Sequence, residues 1–375
     1  MRAKRQLREL FLFQLLFSFA FSLIIIFEPV FFYQIGLSLV GISLYYALHY
    51  TLYVLIMPMG VKFAARFGVE HSLVLSMPFF ILYFLALAAI PTHPSFFWVA
   101  LVLLTMHKIF YWPAYHANFA RFSEGKNRGT EQSWMRFITY GTGILGPLAG
   151  GIIAARFGFP ALFIFAAATV VIATIPLLKT REKFKPAKVS YASVWHIIRD
   201  RQHRRMVFAM IGWAEDLILL VFWPIWLYIF LGSTEKIGLL AAISITAMTV
   251  WGFIVGDLID KRGPRWALRY LGVPLLVIAN GLRFLALTPW RVIGADVLLR
   301  AANLNYSVPF VTQLHMSARR FGALKYAHAF ETVLAISKAS VAWVLVIVFA
   351  VAAPETGFTI AWSLAVVFGL LYAVL

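Results

Sequence analysis

Apolar residues are gathered into twelve runs, near 9–33, 39–59, 72–91, 95–117, 133–155, 159–178, 206–231, 236–256, 266–288, 291–313, 325–352 and 357–375. A bilayer core about 30 Å thick is crossed by roughly 20 helical residues, so each run is long enough to span it. With 62% hydrophobic and 13% charged residues, the chain has too little polar surface to cover a soluble fold. The longest polar stretch runs only from Lys179 to Arg205, which leaves no room for a soluble catalytic domain. A polytopic, all-α membrane protein is expected, and an enzyme is not.

There is no cysteine, which removes disulfides, thiolate metal ligands and thiolate nucleophiles. No metal and no cofactor are expected. The leading MRAKRQLREL precedes an apolar run without a small-residue cleavage site, so it reads as a retained first span rather than a cleaved signal.

The formal charge of +18 does not require nucleic acid as a partner, because the basic residues are sorted by position. Of 33 Lys and Arg, 25 fall in alternate connections, including the N-terminus, the turn with Lys62 and Arg66, the linker and the turn after run eight. The other side holds only Arg156, Lys236 and Arg291. The positive-inside rule then places both termini in the cytoplasm, with a prokaryotic inner (plasma) membrane as the expected location. The linker segment 191–201 has the pattern of a short amphipathic helix whose basic residues suit anionic headgroups.

The chain repeats itself. Pro29 and Pro224 lie 195 residues apart, and the same offset carries Tyr33 onto Tyr228 and the RFG of 66–68 onto the KRG of 261–263. LIIIFEPVFFY at 23–33 parallels ILLVFWPIWLY at 218–228. Two same-direction copies in an apolar chain point to a transporter. The expected division is residues 1–178 as one six-helix bundle, 179–205 as a basic cytoplasmic linker and 206–375 as a second bundle.

Two motifs carry a family resemblance. After run eight, GDLIDKRGPR supplies Gly256, Asp260, Lys261 and Gly263. After run two, VKFAARFG keeps Arg66 and Gly68 but has Val61 and Ala65 where the first glycine and the aspartate belong. The pattern resembles the cytoplasmic turn signature of the major facilitator superfamily, in which small residues permit close helix approach and a tight turn. In run five, YGTGILGPLAGG, with Gly143, Gly146, Pro147, Gly150 and Gly151, is similar to that superfamily's antiporter motif, and dense glycines equally serve any tight helix pair. The resemblance implies twelve transmembrane helices in two pseudo-symmetric six-helix bundles, a central cavity lined by helices 1, 4, 7 and 10, alternating access, and a lean towards export.

The polar residues of those four helices are the candidate site. Lys108, with Tyr111 and Tyr115, lies near the middle of helix 4. Helix 10 carries Asp296, Arg300, Asn303 and Ser307 on one face, with Asn305 beside it. Helix 7 offers Trp223, Glu215 and Asp216, and helix 1 offers Glu28. Charge at the bilayer centre costs about 2.5–3.5 kcal/mol or more, so Lys108 and Arg300 must meet water, a partner or a ligand. Either they bind an anionic solute together, or each pairs internally, Arg300 with Asp296 and Lys108 with an acid of helix 1 or 7. Glu28, Glu215, Asp216 and Asp296 are the proton-coupling candidates, with Glu331 behind them, and the stripe Tyr46, His49, Tyr50 and Tyr53 reads as packing.

The expected function is secondary active transport of an organic, anionic or amphipathic solute, driven by protons and directed outward. Uptake by symport and lipid flipping on the same fold are the alternatives, and a non-transporting receptor or scaffold is the alternative of another class. The expected partners are a small-molecule solute, protons and membrane lipids, the expected state a monomer.

Overall fold

The computed structural model describes residues 2–122, 128–179 and 189–375. Residues 180–188 of the linker lie outside the described residues, and every regular element among the described ones is a helix. The N-terminal part holds α1 (Arg2–Ile24), α2 (Glu28–Gln34), α3 (Leu39–Phe67), α4 (Val69–Ala89), α5 (Phe96–Phe122) and α6 (Arg128–Leu178). The short α7 (Tyr191–Arg199) follows in the linker. The C-terminal part holds α8 (Arg204–Gly212), α9 (Glu215–Leu217), α10 (Trp223–Leu231), α11 (Thr234–Arg262), α12 (Pro264–Ala267), α13 (Val273–Arg283), α14 (Pro289–Phe321), α15 (Ala323–Val351) and α16 (Pro354–Leu370).

Eight helical stretches are long and apolar enough to cross a bilayer. One of them covers residues 138–178 and is bent at Gly158, where φ is 82°. Its 41 residues would reach about 60 Å as a straight helix, twice the hydrocarbon thickness, and the bend divides it into two arms. The reading of twelve spans is supported for these stretches. The polar stripe of α14 lowers its hydropathy, although its 33 residues exceed the length needed.

The repeat is visible in the backbone. The first stretch breaks between α1 and α2, and Pro29 sits at the second position of α2. The seventh breaks between α8 and α9, passes through a π-helical turn at Ile218–Phe222, and resumes at α10 with Pro224 in the same place. Proline tolerates a first helical turn because the N–H it lacks has no partner there. The turns joining α3 to α4 and α11 to α12 use Gly68 at φ 109° and Gly263 at φ 88°, again 195 residues apart. Side chains are strained in that left-handed region, so the glycine of the turn signature is explained in both copies.

Close packing within and between the parts uses the glycines of α6. A Cβ at Gly146 would strike Ser22, and one at Gly150 would strike the Leu23 carbonyl, so α1 lies directly on α6. Gly151 faces the other way, against the Thr234 carbonyl and Gly238 of α11. The two parts meet along α6 with α11 and along α3 with α15. At the end of the cavity remote from the N-terminus, the Tyr33 and Tyr228 rings meet edge to face at 6.3 Å, and Gln34 Nε2 donates to the Tyr228 hydroxyl at 2.6 Å.

Candidate functional site

A cavity of about 310 Å³ opens between the two parts. On one side its wall comes from α1 to α5, and on the other from the broken stretch α8–α10 and from α15. Aromatic residues dominate the wall, among them Phe21, Phe80, Phe84, Trp112, Trp213 and Phe330. Into it project two ammonium groups, three carboxylates and one imidazole: Lys108, Lys338, Glu28, Asp216, Glu331 and His116.

Each acid has a partner. Asp216 holds Lys338 at 2.8 Å. Glu331 accepts the Tyr53 hydroxyl at 2.9 Å and lies 3.0 Å from His116 Nε2, which joins α3 and α5 to α15 across the cavity. Glu28 accepts the Tyr46 hydroxyl at 3.3 Å. Lys108 differs. Its Nζ is 4.7 Å from the centre of the Tyr50 ring and 3.4 Å from the Tyr50 hydroxyl, and it forms no ion pair among the described residues. Lys338 Nζ stands 5.6 Å from the same ring. One tyrosine therefore lies between a cation from each part. A cation on an aromatic face gains about 0.5–2 kcal/mol, less than an uncompensated charge costs at such depth, so Lys108 retains capacity for an anion.

The helix 10 stripe lies elsewhere. Asp296 is fully buried, accepts the Trp223 indole N–H at 2.8 Å and pairs with Arg300 at 2.9 Å. Asn303 Nδ2 donates to the Tyr306 hydroxyl at 2.6 Å, Asn305 to the Ala301 carbonyl, and Ser307 to the Leu304 carbonyl. None of these lines the cavity. Asp296 and Asn305 are buried, and Arg300, Asn303 and Ser307 half-buried, on a helix that packs on α13 and α11 of its own half. The internal pairing considered for Arg300 is the one the structure has, and Lys338 of α15 stands at the cavity instead. Glu215 and Trp223 are also interior, at 2% and 1% exposure. Tyr111 stacks on Phe17 at 4.6 Å and on Tyr115 at 5.5 Å inside the N-terminal half, so neither tyrosine belongs to the wall.

The tyrosine stripe of α3 divides. Tyr46, Tyr50 and Tyr53 line the cavity, while His49 is fully buried and meets Thr105 at 2.8 Å. Lys338, Tyr50, Tyr53 and His116 are the site residues that sequence reasoning passed over. The available signal was a glutamate and a lysine seven residues apart in a predominantly apolar span of α15. Of the gating candidates, Arg66 and Lys261 are exposed, Gly68 and Gly263 form the turns, and the side chains of Gly256 and Asp260 lie outside the described residues. Gly143 meets only Ile245 of α11, in ordinary contact at 3.7 Å, and Pro147 offers its carbonyl to the close approach of Gly238.

Two repeat-related helical halves closing on a charged, aromatic cavity define a membrane transporter fold. A model of the Major Facilitator Superfamily matches residues 10–330, and the chain belongs to that superfamily. Comparison with curated protein sequences finds no match. Among solved structures, the chain resembles a POT family transporter in complex with 5-aminolevulinic acid, at TM-score 0.75 and 12% identity over 98% of this chain and 95% of that one. It also resembles a POT family transporter in complex with a thioalcohol-conjugated peptide, at TM-score 0.75 and 13% identity over 98% and 95% of the two chains. A D-xylose-proton symporter matches at TM-score 0.70 and 15% identity over 98% and 97%.

Proposed function

We propose that the chain is a proton-coupled secondary transporter of an organic solute that carries an anionic group on an apolar or amphipathic body. The single observation that carries this reading is Lys108, a cation in the cavity that forms no ion pair among the described residues, beside a wall rich in aromatic rings. A carboxylate or phosphate on the solute would complete it with a charge-assisted bond. The volume of about 310 Å³ suits a small metabolite, at the lower end of the usual ~300–1,000 Å³ for ligand pockets. Alternating access would proceed by rocking the two halves about this cavity. In that motion Tyr33 and Tyr228 part at one end, and the contact of His116 with Glu331 yields at the other.

Export is the direction we favour, from the likeness of the α6 glycines to the antiporter motif. Uptake by symport is the second reading, favoured by the D-xylose-proton symporter of the same fold. The basic connections support both termini in the cytoplasm, and we take the protein as a monomer of a prokaryotic inner membrane. A thermal-shift screen of the purified protein against metabolites, repeated with Lys108→Ala, tests the solute site. Stabilising solutes that act equally on the variant would remove Lys108 from the site. Flux of the positive solutes into inverted and right-side-out vesicles separates export from uptake, and absence of flux in both favours a receptor or scaffold.

A further inference from the structure

The end of the molecule remote from the N-terminus holds a second cavity, which shares no lining residue with the solute cavity. At about 610 Å³ it is the larger of the two. It is framed by the first two turns of α3 (Gly41, Leu44, Tyr45), the first turn of α5 (Phe97, Trp98) and the connections 35–38 and 90–95. No charged residue lines it, and its one polar side chain, Tyr45, is buried with its ring packed between Phe32 at 4.8 Å and Phe97 at 4.9 Å. A buried water needs about two to four polar partners, more than the side chains of this wall offer. A void would cost the lining groups the contacts missing on one side. Hydrocarbon is the filling that meets neither objection.

The source of that hydrocarbon follows from where the cavity opens. Tyr45 and Ile90 of its wall are buried, whereas Ile35 and Trp98 are 37% and 54% exposed. Trp98 and Val102 lie one turn apart on α5 and both are exposed, so the opening continues into the lipid-facing stripe of that helix. Tryptophan beside the end of a span marks the boundary between headgroups and chains. Neither framing connection contains Lys or Arg, so nothing at the rim selects an anionic headgroup, and recognition falls to the chain. Lipid tails are as apolar as this wall, and the gain on entry is contact rather than transfer from water.

The same wall reaches a contact between the two halves. Ile35 and Leu37 belong to the turn that follows Tyr33 and Gln34, the pair that meets Tyr228. The turn is tightly drawn: the Ile35 N–H donates to the Phe31 carbonyl at 3.0 Å, the Leu37 N–H to that of Phe32 at 3.0 Å, and the Gly41 N–H to the Ser38 hydroxyl at 3.1 Å. Whatever presses on Ile35 and Leu37 therefore presses on the contact with Tyr228.

We propose that this cavity binds one acyl chain of a bilayer phospholipid, taken from the leaflet at that end, and that the chain braces the turn carrying Tyr33 and Gln34 against Tyr228. The acyl site stands apart from the transport reading, and only the consequence of bracing for a transport cycle rests on it.

The test uses the full chain in phosphatidylcholine nanodiscs that include a phosphatidylcholine with a diazirine midway along one acyl chain. After illumination, adducts on residues 35–45 and 90–98 are expected to exceed severalfold those on 55–59 of α3, where Leu55 and Met59 are 68% and 61% exposed. Gly41→Phe and Leu44→Trp, each checked for folding by its melting temperature, fill the space from one face of α3 and should bring the adducts down to the level of 55–59. Gly41→Ala, whose methyl would make only ordinary contacts, should keep them. Adducts no denser than on 55–59, or undiminished in the filled variants, overturn the site. A second arm reads the bracing. Spin labels at Phe157→Cys and Trp290→Cys, exposed positions on the two halves of a chain with no other cysteine, report the distance across this end. In delipidated protein in detergent, added phosphatidylcholine is expected to narrow the distance distribution and shorten its mean. With Gly41→Phe the distribution should start narrow and not respond. No response in the unfilled protein, or the same response with Gly41→Phe, removes the bracing role. Neither arm needs flux, so a protein that moves no solute would leave the acyl site standing.

Discussion

The two halves share a backbone plan and differ in what they do with their charges. Both break the first helix of the repeat next to a proline and both turn on a glycine at the signature position. Yet the N-terminal half presents Lys108 to the cavity without an ion pair among the described residues, with Glu28 on the same wall, while in the C-terminal half Lys338 is held by Asp216 and Arg300 by Asp296. A duplicated fold thus divides its labour: one copy supplies the charge that a solute can answer, and the other holds Lys338 and Arg300 in ion pairs. Helix breaks and turns are fixed by backbone sterics and persist in both copies, whereas side-chain pairing is free to diverge once each charge has a partner.

The largest effect is expected where the halves are most alike. Tyr33 and Tyr228 are repeat-related and touch each other. Because the chain has no cysteine, Tyr33→Cys with Tyr228→Cys introduces one defined cross-link. Oxidation is expected to abolish flux and reduction to restore it. Undiminished flux with the disulfide formed would mean that this contact does not part during transport.

Next in size is the contrast between cations. Lys108→Ala is expected to weaken solute stabilisation by about 2–3 kcal/mol, roughly 30- to 150-fold in affinity, the scale of a charge-assisted bond. Arg300→Ala should leave solute affinity within about threefold and lower stability instead, because Asp296 would be left buried without its cation. Equal losses of affinity in the two variants would erase the distinction between the halves.

Which parts of this were legible in the sequence follows from what each signal reports. Run length and the 195-residue offset report backbone constraints, and the structure repeats them at Pro29 and Pro224 and at Gly68 and Gly263. Lys108 was legible because an ammonium deep in an apolar run must be accounted for. Arg300 was equally conspicuous, but a stripe on a helix does not state which partner each member takes, and Arg300 pairs with Asp296 one turn away, off the cavity wall. Lys338 shares a helix face with Glu331 seven residues away, and the sequence leaves open whether it pairs there or with another helix. In three dimensions Glu331 belongs to Tyr53 and His116, and Lys338 to Asp216, which comes from a different helix. Pairing across helices is a tertiary fact that periodicity does not contain.

A smaller effect tests whether the C-terminal charges are compensated by pairing. Lys338→Ala should destabilise the protein by about 1–3 kcal/mol, below the full cost of breaking a buried pair because Asp216 is partly exposed at 25%. Adding Asp216→Asn should recover most of that loss in thermal unfolding, since the orphaned carboxylate is then gone. Additive losses would show that the ion pair contributes nothing beyond its separate members.

The smallest effects come from the glycines of α6, which sort by the half they touch. At Gly150 a methyl group would press on the Leu23 carbonyl of α1, in the same half, and backbone cannot move aside as a flexible side chain does. Gly150→Ala is expected to lower stability by about 1–3 kcal/mol, the range for overpacking. At Gly143 the nearest atoms belong to Ile245 of the other half, at 3.7 Å, which is ordinary contact. Gly143→Ala should therefore stay within about 1 kcal/mol of the parent, the size of the gain that alanine brings to a helix. Gly151 faces the other half as Gly143 does, yet a methyl there meets the Thr234 carbonyl and Gly238. Gly151→Ala should then change flux more than it changes the unfolding of either half, because the contact it disturbs is one that rocking must remake in every cycle. Parallel unfolding and flux measurements on the three variants decide the matter: if Gly150→Ala and Gly151→Ala lose stability and flux in the same proportion, the glycine run serves packing alone.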